Sequence, residues 1–69
     1  MPLTFCNIGQ VAIVQRINGG ERVRQHLFKL GFVVGSEIIV VAKFGNNVIV
    51  KVKDSRVAIG AGMASKIMV

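Results

Sequence analysis

The segment from Leu27 to Ile38, LFKLGFVVGSEI, constrains this chain more than any other because it joins two kinds of secondary structure. Val23, Leu27 and Leu30 recur at i, i+4 and i+7, which places them on one stripe of a helix. Gly31 stands where a helix that closes in a left-handed residue takes a glycine, and Gly35 marks a second turn. An extended, β-branched pattern starts directly after it. Leu27, Leu30, Gly31, Phe32 and Gly35 therefore form a candidate structural joint, which sets where the helix lies on the rest of the fold.

The whole chain, residues 1–69, reads as one small domain without linker, repeat or low-complexity tract. A core of this size supplies only about 3–5 kcal/mol of net stability. Cys6 is the only cysteine, so no internal disulfide can add to that, and its simplest role is that of a small buried hydrophobe. Hydrophobic residues make up 52% of the chain, yet there is no Trp or Tyr and only 4 Phe, so the core must be built mainly from Val and Ile. That composition favours strands. The longest apolar run, Ile38 to Ala42, is far too short for the roughly 20 residues that span a bilayer, and the amino terminus lacks the pattern of a secretory signal. The expected location is the cytoplasm. A net charge of +6 means that the surface attracts anionic partners without choosing among them.

Along the chain, the β-branched stretch Gln10 to Ile17 predicts a first strand that ends at Asn18-Gly19-Gly20. A helix is expected from Glu21 to Leu30, with an acid in its first turn and Lys29 in its last, as the helix dipole favours. Glu37 to Phe44 and Val48 to Lys53 flank Gly45-Asn46-Asn47 and predict a hairpin. Strict alternation puts Ile38, Val40, Ala42 and Phe44 with Val48, Val50 and Val52 on the inner face, and Lys51 and Lys53 on the other. A turn at Asp54-Ser55, a strand from Arg56 to Ile59, a connection from Gly60 to Lys66 and a last strand from Ile67 to Val69 complete the pattern.

About five short antiparallel strands in so few residues are best served by a small barrel, since closure removes exposed sheet edges. The expected fold is mainly β, an SH3-like barrel with one α-helix between the first and second strands. On its outer face Ile39, Val41 and Ile49 would lie beside Glu37, Lys43, Lys51 and Lys53. Two explanations compete for that apolar patch: a partner, which includes a second copy of the chain, or the helix packed over it.

The order of these features resembles the FeoA family of ferrous iron transport proteins. The resemblance rests on Pro2-Leu3, Gly9, Ile17 with Gly19, the block from Leu27 to Ile38, the hairpin around Gly45, Arg56-Val57-Ala58-Ile59, and Met63-Ala64 with Ile67 and Val69. Val34 and Gly60 depart from it, where Pro and Arg are common in the family. The resemblance implies an SH3-like core domain and a cytoplasmic accessory protein that acts on the membrane GTPase transporter FeoB. It also implies an association with ferrous iron, although no ligand set is visible. The barrel is similar as well to a domain of iron-dependent transcriptional repressors.

The inventory of reactive groups is thin. His26 is the only histidine, and with Cys6, Glu21, Glu37 and Asp54 it forms no metal-ligand spacing. No serine has the histidine and carboxylate neighbours of a nucleophile, and Gly60-Ala61-Gly62 lacks the remainder of a phosphate-binding loop. No enzyme, catalytic residue or cofactor is expected. The main rival to a protein-binding module is a small basic module that binds nucleic acid or resembles the iron-dependent regulators. Against nucleic acid, Phe28, Phe32 and Phe44 are expected to be committed to packing, which leaves no stacking platform. Arg22, Arg24, Lys51, Lys53 and Arg56 are the candidate partner-binding charges.

Overall fold

The computed structural model describes all 69 residues. In chain order they form a 3-10 turn (Leu3–Phe5), β1 (Val11–Ile13), β2 (Arg16–Ile17), α1 (Gly20–Lys29), β3 (Glu37–Phe44), β4 (Asn47–Val52), β5 (Ser55–Gly60), the one-turn α2 (Ala61–Ala64) and β6 (Ile67–Met68). Strands β1, β3, β4 and β5 make an antiparallel sheet in the order β1-β3-β4-β5, and β2 pairs with β6 in a second, small one.

The first expected strand is two strands. Val14 breaks it: its amide donates to the Ser36 carbonyl at 2.9 Å and its carbonyl accepts from the Gly35 amide at 2.8 Å. One residue later the Gln15 amide donates to the Met68 carbonyl at 2.8 Å, so the chain leaves the large sheet and joins the small one. This bend wraps the sheets around a common interior. It also corrects two expectations: there are six strands, and α1 lies between the second and third.

The helix forms where its apolar stripe demands. Leu27 is fully buried, while Val23 and Leu30 are half-buried against the core. The last helical residue is Lys29, with Leu30 as its cap. Two backbone bonds then close the end, Gly31 N–H to Phe28 O at 2.9 Å and Phe32 N–H to Leu27 O at 2.9 Å. They are the paired bonds of a Schellman motif, which needs a left-handed residue at Gly31, where φ is 103°. Phe32, the residue after it, drops into the core.

The β3–β4 hairpin is present with a shorter loop than expected, because Asn47 opens β4 opposite Phe44 and leaves only Gly45-Asn46 between them. A β-bulge lies between Val40 and Ala42. Before it, Ile38 and Val40 point inward and are fully buried, and so do Val48, Val50 and Val52 on the partner strand. The extra residue, Val41, then reverses the alternation. Ala42 comes opposite the outward Ile49 and is half-buried, and Phe44 is 57% exposed, so neither belongs to the interior as strict alternation requires. Lys53 is not in the strand; with Asp54 it forms the two-residue turn to β5.

Fourteen residues are buried, all of them apolar or Cys6, in a single cluster that joins Leu3, Leu27, Phe32 and Ile67 to the hairpin valines. The chain ends close on each other. The Val69 amide donates to Met1 O, the Met1 amine donates to Val69 O, and Pro2 bridges to Met68.

Candidate functional site

No Asp, Glu, His, Lys or Arg is buried, so chemistry available to a partner lies on the surface. The candidate charges fall into two groups. Arg22 and Arg24 are two residues apart on α1 and do not face each other. Arg24 donates to a Glu21 carboxylate oxygen at 2.8 Å, and the bond and the positive charge of Arg24 hold the Glu21 carboxyl below its ordinary range. Arg24 borders a shallow depression with Phe28 and Lys29, whereas Arg22 borders a different one with Val23, His26 and Met63.

The hairpin charges do come together. Lys51 is the cross-strand neighbour of Arg56, and Lys51 and Lys53 line one depression with Ser36, Glu37 and Ile39. Lys51 continues a row across the outer face of the sheet, from Val11 on β1 through Ile39 on β3 to Lys51 and Arg56. The next row holds Ala42, Ile49 and Ala58. This face is cationic on the β4–β5 side and apolar toward β1, where Val11 and Ile13 are exposed. The helix does not cover it, because α1 packs against β2 and sends Leu27 into the interior. Of the two explanations for the outer apolar residues, the helix is thereby removed.

The aromatic residues also depart from expectation. Only Phe32 is buried, while Phe5 is 70%, Phe28 64% and Phe44 57% exposed. Phe28 is one residue from Leu27 and so lies off the apolar stripe, which the spacing alone could have shown. The exposure of Phe44 follows from the bulge, which nothing in the alternation signals.

Groups that could ligate a metal stay dispersed. Cys6 is in the core, His26 is exposed on α1, and no three His, Cys, Asp or Glu side chains gather in one place. The Ser65 hydroxyl donates to the Gly62 carbonyl at 2.7 Å within its own turn. Leu27 and Phe32 are buried, Leu30 caps the helix, and Gly31 packs where a Cβ would stand 3.1 Å from Val52 Cγ1. Gly35, with φ 93°, is the third residue of a turn closed by Ser36 N–H to Val33 O at 2.9 Å.

Bent strands around an aliphatic interior, with an uncovered and partly cationic sheet face, define a small SH3-like barrel. The chain belongs to the FeoA domain family, whose model matches residues 1–69, and this is a family of ferrous iron transport rather than a known family of enzymes. It is 40% identical over 68 residues to a Methanocaldococcus jannaschii protein named Fe(2+) transport protein A, covering 99% of this chain and 83% of that one. A crystal structure of an iron uptake regulatory protein, FeoA, superposes with a TM-score of 0.90 at 37% identity, over 97% of this chain and 89% of the other. The zinc-complexed FeoA of Stenotrophomonas maltophilia, described as a prokaryotic SH3 domain protein, gives a TM-score of 0.84 at 27% identity, over 99% and 87%. No helix of this chain is long and apolar enough to cross a membrane.

Proposed function

We propose that the chain is a non-enzymatic accessory protein of ferrous iron uptake that works in the cytoplasm by docking on the cytoplasmic part of a FeoB-type membrane GTPase transporter. The observation that carries this reading is a family match over residues 1–69 on a molecule that gathers exposed cations on one sheet face, Lys51 opposite Arg56 with Lys53 beside Lys51. Such a face steers and orients an acidic partner. It offers no nucleophile and no base. Iron is the transported cargo in this reading, and the protein acts on the machine that moves it.

Calorimetry of the purified chain with the isolated cytoplasmic region of the transporter tests the proposal. Binding that weakens as salt rises is expected, and absence of binding at low salt overturns it. Reversing Lys51 and Arg56 to Glu in one variant, and Arg22 and Arg24 in another, tells which surface faces the transporter. The variant that folds normally and still binds as the wild type removes its surface from the proposal.

The three exposed phenylalanines favour a second reading, nucleic-acid binding, because base stacking needs accessible rings beside cations. A salt series with mixed-sequence RNA and DNA distinguishes it. Steep salt-dependent affinity exceeding that for the transporter region would make nucleic acid the partner.

A further inference from the structure

The last strand of the large sheet has a free side. β5 pairs only with β4, and its closing pair, Val52 with Ser55, flanks the two-residue turn Lys53-Asp54. A closing pair of that kind exchanges both backbone hydrogen bonds, and the antiparallel alternation then makes Val50 with Val57 and Val48 with Ile59 the bonded pairs. The amides and carbonyls of Arg56 and Ala58 consequently point away from β4. No turn, loop or cap bond uses them, and both residues are exposed.

We propose that this edge takes an extended acidic segment of a partner protein as an added β-strand, a docking mode that rests on the protein-binding reading above. Arg56 and Ala58 are about 7 Å apart along the strand, which matches alternate residues of any extended peptide. A nucleic-acid backbone has no such repeat of donor and acceptor. The side chains define what the segment carries. Arg56 and Lys51 on the outer face call for a carboxylate, Ala58 leaves room beside it, and Val57, half-buried on the inner face, calls for an apolar residue. The segment therefore alternates acidic and apolar. A second copy of this chain is a poor occupant, since pairing β5 with β5 would bring two sets of Lys51, Lys53 and Arg56 together.

The probe is a synthetic hexapeptide alternating Glu and Val, added at millimolar concentration to the isotopically labelled chain and followed by amide resonances and hydrogen exchange. Exchange at Arg56 and Ala58 is expected to slow at least about tenfold at saturation, with other exposed amides unchanged. The same peptide N-methylated at alternate residues and a Lys-Val counterpart are expected to leave both amides unprotected. Arg56→Glu weakens the Glu-Val peptide by about tenfold or more, and Ala58→Pro abolishes its binding without breaking a ladder bond. Lack of protection at Arg56 and Ala58, equal binding of the N-methylated peptide, or equal protection by a mixed-sequence oligonucleotide overturns the inference. Because the probe is not the transporter, these outcomes leave the transporter experiment independent. If the transporter region binds and the edge amides stay unprotected by the peptide, docking stands and strand addition fails.

Discussion

The Phe32 amide donates to the Leu27 carbonyl at 2.9 Å, and the two side chains are buried in the same core cluster. One pair of residues thus ends the helix and anchors it, since the backbone bond closes the last turn and both side chains are buried in the core. Phe32→Ala should cost about 3–5 kcal/mol, as large-to-small changes of a buried ring do. That matches the whole net stability of a domain this size. Urea denaturation monitored by circular dichroism should show the variant largely unfolded in buffer. A cooperative transition at the wild-type midpoint would mean that the ring is not part of the core.

Gly31 is held from two directions. Its φ of 103° is unfavourable for any residue with a side chain, and a Cβ would come 3.1 Å from Val52 Cγ1. At Gly35 the φ is similar, 93°, but a Cβ would meet nothing within 4 Å. Gly31→Ala should therefore destabilise by more than Gly35→Ala, whose cost is the backbone strain alone, about 1–2 kcal/mol. Denaturation midpoints of the two variants give the comparison directly. Equal losses would show that Val52 moves aside freely.

The hairpin shows how far alternation can be read. Its existence, its start at Glu37 and the burial of Ile38, Val40, Val48, Val50 and Val52 follow from β-branched residues at every second position. The loss of register at Val41 does not, because a run of five apolar residues from Ile38 to Ala42 carries no mark of which one is extra. The rest of β3 is consequently turned over. Lys43 now reaches the Thr4 carbonyl at 3.2 Å, and Phe44 faces solvent. Phe44→Ser should change stability by about 0.5 kcal/mol or less, while Ile38→Ala should cost about 2–5 kcal/mol. Thermal or urea melts of the two variants separate these cases, and a large loss from Phe44→Ser would place that ring back in the core.

The charged groups were legible as residues and not as an arrangement. Pairing of Lys51 with Arg56 needs the register of β4 and β5, which is set by the Lys53-Asp54 turn, whereas the three-residue spacing of Glu21 and Arg24 on a helix already puts them within reach. Arg24 depresses the Glu21 pKa through a hydrogen bond and its charge. A carboxyl whose folded pKa is depressed contributes stability that is present above its unfolded value and lost as pH falls through the folded one. In Arg24→Ala the Glu21 carboxyl should titrate at higher pH, back toward its ordinary value, and the pH dependence due to this group should shrink. Carbon-detected titration of the side-chain carboxyl reads the shift. An unchanged Glu21 titration would show that the pair does not persist in solution.

Val34 is exposed and sits second in the turn from Val33 to Ser36, a position whose φ near −60° in a turn with glycine third is the one proline holds without strain. Its amide takes part in no loop, turn or cap bond, so replacing it removes no bond of the fold. The turn matters beyond itself, because the Gly35 amide and the Ser36 carbonyl hold Val14 at the point where the first strand bends between sheets. Val34→Pro should stabilise the domain by about 0.4–1 kcal/mol by restricting the unfolded chain. The gain should appear as a higher denaturant midpoint with an unchanged slope. A lower midpoint would mean that Val33, the first residue of the turn, cannot adopt the extended backbone that a following proline requires.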